Sequence, residues 1–573
     1  TNATMVDSDG LLKWRPHNIL THSSDLTNAG WNTTGLTITT GQNDFEGNPT
    51  AFKITPIINS SHHRFFKSVA SSLLSNGKLS TVTIDLKADG YNFFSVAITS
   101  SRYAVINLSD GTVSFGAGMS TVTSLGNGWY RCSITSSVVA QEVFSVGETA
   151  QANAFGSQTF TGDGTSGVLV AYPHSFRSDL GGMVNNPDTS NSYVPTTTAA
   201  VYAPRRGHHV YNGSAWVNEG ILHESEARTN LLSYSGAVTS TGWNVSTLNV
   251  SAVTAGSPFG SYQSASPPST SSTEGQAYQI GKPLTSGATC VGWSLVKYSA
   301  GNGWFSVSLY TPAGLGAADN QRGWFDLQNG VVGSKDTSII DYGMIDYGDG
   351  WWLCWASKVA NSTSGGINLG VTTADGASDR NSGDVILIAG SQFELGSTPS
   401  SYIPTGSAPA TRAAETLTVP AANLPYDSTN MSIQMDGKMT YADTSFGLEV
   451  QQYRWQLSAT NYISTNMQTV GGRTGQPVFS QRQSPSGLDQ VAGGNNVYSA
   501  GTNVPFNLSA RHGSTFINGA HEGTLLTANT TPTILPDLSS TDLSLGYIFM
   551  GTIGEFRMWS DDITDAGITE AST

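Results

Sequence analysis

The chain has 573 residues, of which 12 % are charged, and a formal net charge of −15. Charged residues usually make up about a quarter of a globular protein, so the polar surface here must come mainly from Ser, Thr, Asn and Gly. The acidic balance excludes a nucleic-acid groove, which needs clustered Lys and Arg, and the sequence contains no apolar run of the roughly 20 residues that a membrane helix requires.

The cysteines and the N-terminal residues favour assembly in a reducing cytoplasm. Three cysteines are too few for a disulfide framework, and Cys132 and Cys354 fall at matched places in the repeat described below. We expect both of them, with Cys290, to be buried, reduced side chains. The first residues lack the basic and apolar regions of a signal peptide, so we expect release from the cell by another route, such as lysis.

Two short segments predict β-hairpins that precede larger domains. Residues 1–17 carry an Asp9-Gly10 turn, and residues 206–229 carry an Asn212-Gly213 turn. A hairpin alone is marginally stable in water. Each is therefore expected to pack on a neighbouring domain or on another subunit and to act as a stiff connector.

The segments after these hairpins repeat one another. Asn18 precedes Trp31-Asn32 by the same distance as Asn230 precedes Trp243-Asn244. Further landmarks follow in the same order in both segments, which predicts a duplicated domain at 18–205 and 230–412. The period between the copies is far longer than that of a solenoid repeat, so whole domains are repeated. The later matches are Phe94-Ser95-Val96 with Phe305-Ser306-Val307, Gly128-Trp129-Tyr130 with Gly350-Trp351-Trp352, and Ser192-Tyr193-Val194-Pro195-Thr196 with Ser401-Tyr402-Ile403-Pro404-Thr405.

Strand patterns dominate wherever a period can be read. β-Branched and aromatic residues alternate with polar ones, and Asp-Gly or Asn-Gly pairs supply the positive φ angles of tight hairpins. Only the residues after Asp561 predict a short helix. The predicted strands are 79–86, 93–98, 168–172, 305–309, 385–388 and 416–419, and the predicted turns include Asp110-Gly111, Asn329-Gly330, Asp349-Gly350 and Asn518-Gly519.

The remaining segment, 413–573, has a pattern of its own. Residues 506–510 and 514–519 are followed by Gly551-Thr552-Ile553-Gly554-Glu555-Phe556-Arg557-Met558-Trp559. This pattern resembles the end of a laminin-G or concanavalin-like sandwich. The fold class expected for the whole chain is all-β: two jelly-roll sandwiches joined by hairpin connectors, then a lectin-like sandwich.

Residues 1–412 resemble virion proteins of tailed phages that carry carbohydrate-binding-module-like jelly rolls. The resemblance lies in the Asn-Leu-Leu and Gly-Trp-Asn openings, in residues 224–232 and in the closing segment 390–405. It implies a tail fibre, tailspike or capsid fibre on the virion surface, in contact with other virion proteins and with host cell-surface polysaccharide. It also implies a homo-oligomer, a trimer in the case of a fibre, and allows a structural calcium ion whose ligands it does not identify.

Catalytic and metal-binding patterns are weak. Glycan hydrolysis needs two carboxylates about 5–9 Å apart, yet Asp110 is matched by Asn329 and Glu394 has no acidic counterpart. The histidine pairs His62-His63 and His208-His209 have no spaced third ligand. We therefore expect no enzymatic activity, no catalytic residue and no cofactor.

Three tryptophans distinguish the second copy. Trp304, Trp324 and Trp355 stand where the first copy has smaller residues, whereas Trp129 and Trp351 are shared and are interpreted as scaffold. Flat aromatic faces stack on sugar rings, so the three are candidate glycan-binding residues, with core packing as the competing interpretation. The function expected is adsorption to host glycans without catalysis; a purely architectural decoration protein and a polysaccharide depolymerase are the alternatives.

Overall fold

A computed structural model describes residues 2–68, 78–99, 102–137, 142–149, 158–186, 192–239, 241–311, 320–442, 449–485 and 487–573. The contacts divide the chain into two compact units, Lys13–Ala203 and Asn2–Leu12 with Pro204–Thr573. Strands dominate both units, and an α-helix occupies Thr564–Ala571, where the sequence predicts one. Over the described ranges, no helix has the length and apolar character of a membrane span.

The first unit is a sandwich of two six-stranded antiparallel sheets, A1 and B1. Alternate residues of each strand, such as Ile84, Phe94 and Phe144, point into a shared apolar core. In spatial order, sheet A1 contains Thr112–Phe115, Arg102–Asn107, Phe93–Thr99, Glu142–Gly147, Arg64–Lys67 and Asn32–Thr34. Sheet B1 contains Ser120–Gly126, Trp129–Ser136, Ser80–Asp89, Gly167–Arg177, Ala51–Pro56 and Leu36–Gln42; short pairs join Phe160–Thr161 to Ser60–Ser61 and Val201–Tyr202 to His17–Asn18.

The second jelly roll repeats this topology strand for strand, in sheets A2 and B2, which confirms the predicted duplication. Its core includes Phe305, Val307 and Cys354. From the opposite edge, sheet A2 contains Asn244–Ser246, Gly275–Pro283, Ser364–Thr372, Trp304–Tyr310, Asn320–Asp326 and Val331–Lys335. Sheet B2 contains Asn249–Val250, Ser261–Ser266, Val385–Leu395, Thr289–Ala300, Trp351–Val359 and Asp341–Asp346, with Thr254–Ala255 paired to Ser261–Ser266 and Arg228–Asn230 paired to Ala410–Arg412.

The C-terminal residues form a third sandwich, and the connector before the second jelly roll joins it. Ile221–Glu224 pairs with Met550–Trp559 and so extends the last sheet. Its seven strands are Arg205–Arg206, Ile221–Glu224, Met550–Trp559, Asn430–Tyr441, Gly501–Gly513, Ile517–His521 and Thr524–Leu525. The facing sheet holds Leu417–Val419, Leu543–Ile548, Val450–Ser458, Asn461–Met467, Pro477–Gln483 and Gly487–Ala492; the connector also contains the hairpin His209–Tyr211 with Trp216–Asn218, and strands Thr4–Val6 and Leu12–Trp14 lie near the N-terminus.

The predicted turn at Asn518-Gly519 is wrong. Both residues lie inside the buried strand Ile517–His521, and the chain turns later, at Glu522-Gly523. A Cβ at position 519 would collide with the ring of Phe479. The glycine is therefore needed for a close approach between the two sheets and not for a positive φ angle.

One buried asparagine closes each jelly roll. The side-chain amide of Asn230 donates to the carbonyls of Ser391 and Ile403, at 3.2 and 2.9 Å, while its oxygen accepts from the backbone N–H groups of Leu232 and Phe393. The amide thus ties the start of the domain to its last long strand and to its closing segment. Asn18 makes the equivalent bonds in the first copy, to Pro173, Val194, Leu20 and Ser175.

The other repeated motifs complete this closure. The hydroxyls of Ser235 and Tyr402 lie 2.8 Å apart, and those of Ser23 and Tyr193 lie 2.7 Å apart. Trp243 Nε1 donates to the carbonyl of Tyr234; in the first copy Trp31 donates to His22 in the same way. The landmarks by which the sequence reveals the duplication are therefore the residues that hold each sandwich shut.

A buried charged cluster joins the modules of the second unit. Arg205 Nη2 lies 2.7 Å from the carboxylate of Glu224 and 2.5 Å from that of Glu415, and Arg412 Nε lies 3.1 Å from Glu224. Burial alone would raise the pKa of Glu224. The Arg412 and Arg205 charges and two hydrogen bonds from Ser401 outweigh that effect and hold the pKa well below its usual range.

The N-terminal segment packs on the same cluster. The carbonyl of Thr4 accepts from Arg205 at 2.9 Å, and the Thr4 hydroxyl donates to the carbonyl of Tyr402. A Cβ at Gly10 would collide with the ring of Trp216 in the connector hairpin. The N-terminal segment thus contacts both the connector hairpin and the closing segment of the second jelly roll.

Replacing Asn230 with alanine should destabilise the second jelly roll. The substitution leaves two buried carbonyls and two buried N–H groups without their partner, at a cost of about 2–3 kcal/mol in the free energy of unfolding. Differential scanning calorimetry should show a lower midpoint for that transition. The matched control is Asn249→Ala, at an exposed strand position, for which we expect no shift; equal shifts would mean that the amide does not close the domain.

Replacing Glu224 with glutamine should destabilise the second unit at pH 7 by about 3–5 kcal/mol, because the buried Arg412 and Arg205 both lose this carboxylate and Arg205 keeps only that of Glu415. A carboxylate with a depressed folded-state pKa stabilises the protein above its unfolded pKa of about 4.3, and loses that effect as the pH falls towards the folded-state value. The difference between wild type and variant should therefore shrink between pH 5 and pH 3. Glu226→Gln, which breaks a pair whose carboxylate is 45 % exposed, should change stability by less than about 1 kcal/mol.

Candidate functional site

Sheet A2 of the second jelly roll has an unusual outward face. Phe305, Val307 and Leu309 point into the core, so the alternate residues of that strand, Ser306 and Ser308, point away from it. The same alternation places hydrogen-bonding side chains from four adjacent strands on this face. We call it the polar face and define it by Glu274, Gln276, Tyr278, Trp304, Ser306, Ser308, Tyr310, Arg322, Trp324, Asn368, Gly370 and Thr372.

A buried carboxylate organises the polar face. Glu274 is 2 % exposed, and its Oε1 accepts from Arg322 Nη2 and Gln276 Nε2, each at 2.8 Å. Asn368 Nδ2 approaches the same oxygen at 3.4 Å, and Ser306 Oγ donates to Oε2 at 3.3 Å. The Glu274 charge is thus matched by one guanidinium, and the carboxylate fixes the orientation of the side chains around it.

Other polar atoms of the face are buried without a partner. Arg322 Nε, Asn368 Oδ1 and Thr372 Oγ1 make no hydrogen bond within the described residues. Buried polar groups in folded proteins are nearly always paired, and leaving one unpaired costs about 1–3 kcal/mol. These three atoms are themselves covered, so the polar groups of the face that a ligand could reach are those of the half-buried Gln276, Tyr278, Tyr310 and Arg322 side chains.

Aromatic rings surround this cluster. Tyr278, Trp304 and Tyr310 are half-buried, so part of each ring is accessible. Trp324 is only 5 % exposed, and its Nε1 donates to the carbonyl of Ala377 at 2.8 Å. The face thus combines accessible rings at its borders with hydrogen-bonding groups at its centre.

The structure separates the three tryptophans that the sequence singled out. Trp304 and Trp324 lie on the polar face, but Trp355 lies on sheet B2, on the side away from the core, where it is 3 % exposed. The Trp324 and Trp355 rings are covered and have no free face for a sugar. Glycan stacking by Trp304 stays a prediction.

Sequence reasoning missed Glu274, Arg322 and Asn368. A signal was present, because residues 367–372 alternate Ile-Asn-Leu-Gly-Val-Thr and residues 305–309 alternate Phe-Ser-Val-Ser-Leu, which places several small polar groups on one face. No alternating pattern marked Glu274, because this residue lies just before the strand Gly275–Pro283 and not within it. Only the register of the strands brings it beside Ser306.

The corresponding face of the first jelly roll is more apolar. Matching the two registers places Val143 where the second copy has Asn368, and Tyr103 where it has Arg322. Val143, Tyr103, Ala97 and Val105 form an apolar cluster there. Ser95, Ser145 and Arg64 keep polar groups at the positions of Ser306, Gly370 and Gln276. The two faces therefore differ mainly at Asn368 and Arg322, where the first copy has apolar or aromatic side chains.

Other parts of the structure fit a ligand less well than the polar face does. A cavity of about 110 Å³ lies between the connector hairpin, Tyr402 and Thr552; small-molecule sites usually measure about 300–1,000 Å³, and the carboxylate of Glu224 beside it is already engaged. In the described part of the chain, no group of three or more His, Cys, Asp or Glu side chains could hold a metal ion. The three cysteines are buried and unpaired with one another.

No family model and no curated protein matches the chain. Among solved structures, the tandem CBM22-1 and CBM22-2 domains of Paenibacillus barcinonensis Xyn10C share 12 % identity, with a TM-score of 0.25 and coverage of 67 % of this chain and 99 % of that one. The Ruminococcus gnavus IT-sialidase CBM40, bound to α2,3-sialyllactose, shares 10 % identity, with a TM-score of 0.22 and coverage of 28 % and 96 %. Mouse laminin α1 domains LG4-5 share 12 % identity, with a TM-score of 0.18 and coverage of 50 % and 86 %.

Replacing Gly370 with alanine should disrupt the polar face. A Cβ at this position would lie 2.6 Å from Glu274 Oε2 and would also collide with Ser306 Oγ. We expect a loss of about 1–3 kcal/mol in the free energy of unfolding. Gly406→Ala, where a Cβ meets nothing within 4 Å, is the control in the same domain; calorimetry showing equal midpoints for the two variants would contradict the tight packing around Glu274.

Proposed function

We propose that the second jelly roll binds a glycan on its polar face and that the protein acts by adhesion and not by catalysis. The observation that carries this proposal is the buried Glu274–Arg322 pair surrounded by unpartnered hydrogen-bonding atoms and half-buried rings. The first copy has Val143 and Tyr103 at the positions of Asn368 and Arg322, so these two polar side chains distinguish the second copy.

The chemistry of the face favours a neutral sugar. Sugar hydroxyls both donate and accept, which suits the half-buried guanidinium of Arg322, the amide of Gln276 and the hydroxyls of Tyr278 and Tyr310. The charges of Glu274 and Arg322 compensate each other, so these two groups leave no net charge for an ionic ligand. The accessible rings of Tyr278, Trp304 and Tyr310 offer flat surfaces on which the apolar side of a sugar ring can stack.

The four donors around Glu274 favour a positioning role for this carboxylate. A glycosidase needs one carboxyl group that delivers a proton and a second that acts as base or nucleophile. Glu274 is buried and already accepts from Arg322, Gln276, Ser306 and Asn368. Polysaccharide hydrolysis is the weaker candidate, and release of reducing ends from a bound glycan would be its signature.

On a virion surface, as the sequence resemblance implies, this activity would serve adsorption to host polysaccharide. Single glycan sites are usually weak, and several copies on one particle would raise the overall affinity through effective concentration. The first jelly roll, with its more apolar face, would then act as scaffold. Immunogold labelling of purified particles tests this location, and unlabelled particles would remove the virion part of the proposal.

Replacing Tyr278 with alanine should weaken glycan binding by about tenfold, which corresponds to about 1.4 kcal/mol, because a stacking surface and a hydroxyl are lost. A glycan array identifies a bound sugar, and calorimetric titration then compares wild type and variant at millimolar sensitivity. Thermal unfolding should show that the variant remains folded.

The matched control is Phe66→Ala, at the corresponding position of the first jelly roll. This substitution should leave the affinity unchanged. An equal loss in both variants, or an array with no bound glycan, would contradict the proposed site and favour the architectural alternative.

A further inference from the structure

The six-stranded sheet of the C-terminal sandwich carries two arginines on its outward face. Tyr453, Trp455 and Ile463 point into the core, so Arg454 and Tyr462, which alternate with them, lie on the opposite side of the sheet. Arg482 is the direct cross-strand neighbour of Tyr462. We call this surface the arginine face and define it by Arg454, Tyr462, Arg482 and Tyr547.

Arg454 is held between two tyrosine rings. Its guanidinium carbon lies 4.3 Å from the ring centroid of Tyr462 and 5.6 Å from that of Tyr547. Its Nε donates to Gln456 Oε1, and its Nη1 reaches Gln451 Oε1 at 3.5 Å. The guanidinium is therefore oriented before any ligand arrives, which lowers the entropy cost of binding.

Neither arginine is neutralised by the protein. Arg454 and Arg482 have no carboxylate within ion-pair distance among the described residues, whereas Arg511 and Arg557 in the facing sheet pair with Asp562 and Glu555. The chain as a whole has 41 acidic and 26 basic residues. Two unpaired cations on one face of so acidic a protein provide a local positive charge for an anionic partner.

The rest of the surface matches a sugar polymer. The outward positions of these described strands contain no acidic side chain, and Tyr547 is 47 % exposed, so its ring is open to stacking. The hydroxyl and amide groups beside the arginines can bind sugar hydroxyls. They belong to Ser544, Gln456, Ser464, Ser480 and Gln490.

We propose that the arginine face binds a negatively charged glycan. Arg454 and Arg482 would contact its carboxylate or sulfate groups, for which the planar guanidinium gives paired hydrogen bonds, while Tyr547 stacks on a ring. Nucleic acid fits less well, because two arginines are too few to neutralise the successive phosphates of a nucleic-acid backbone. The protein then carries two sites of different chemistry, one for a neutral sugar and one for an acidic sugar, and the second does not depend on the first.

The test uses the full chain and three immobilised polymers: polygalacturonate, dextran sulfate and neutral dextran. Biolayer interferometry at low and high salt should show binding to at least one anionic polymer that salt weakens. The double variant Arg454→Gln with Arg482→Gln should bind that polymer at least about tenfold more weakly, since two charge-assisted contacts are lost. Polygalacturonate and dextran sulfate distinguish a carboxylate ligand from a sulfate ligand.

Arg557→Gln is the control for diffuse charge and is compared with the single variant Arg454→Gln, since each removes one cation; Arg557 lies in the facing sheet, where its side chain is 48 % exposed. The control variant should leave the affinity unchanged, and an equal loss would show that only diffuse charge is at work. Binding of neither anionic polymer, or equal binding by the double variant, overturns the proposal. Tyr547→Ala, at a position that is 47 % exposed, should weaken binding severalfold and provides the test if the double variant unfolds.

Discussion

Each jelly roll depends on one buried amide. Asn18 and Asn230 bind the start, the last long strand and the closing segment of their domains through four hydrogen bonds each. An antiparallel sandwich has no covalent closure here, because the cysteines are not paired. A buried amide with two donors and an acceptor can join three segments at once, and the cost of leaving it unpaired makes the closed arrangement specific.

Buried polar groups that must be paired also hold together the modules of the second unit. Glu224 lies in the connector and Arg205 just before it, whereas Arg412 and Glu415 lie at the junction between the second jelly roll and the C-terminal sandwich. All four side chains are nearly inaccessible to solvent. A buried ion pair is weak evidence for stability, but removing one member is costly. The cluster therefore fixes which segments meet, and the strand Ile221–Glu224 continues this arrangement by pairing with the last sheet.

The outward faces of the two jelly rolls differ in side-chain chemistry although both sandwiches are closed in the same way. The two copies share sheet topology and core positions, yet the same face is more apolar in the first copy than in the second. Substitutions at alternate positions of four strands thus change the chemistry of the outward face without altering the core beneath it. The arginine face of the C-terminal sandwich follows the same rule, because Tyr453 and Trp455 fill the core while Arg454 faces outward.

The sequence by itself determined the all-β class, the duplication, most of the turns and the alternation that separates core from surface, because these depend on neighbours two residues apart and on the positive φ angles of Asp-Gly and Asn-Gly pairs. It did not determine that Asn518-Gly519 lies within a strand, nor that Trp324 and Trp355 are covered. Glu274, Arg322 and Asn368 are far apart in the chain, as are Arg205 and Glu415. Their meeting depends on strand order and register, so only the tertiary structure decided where the chain gathers its polar and charged groups.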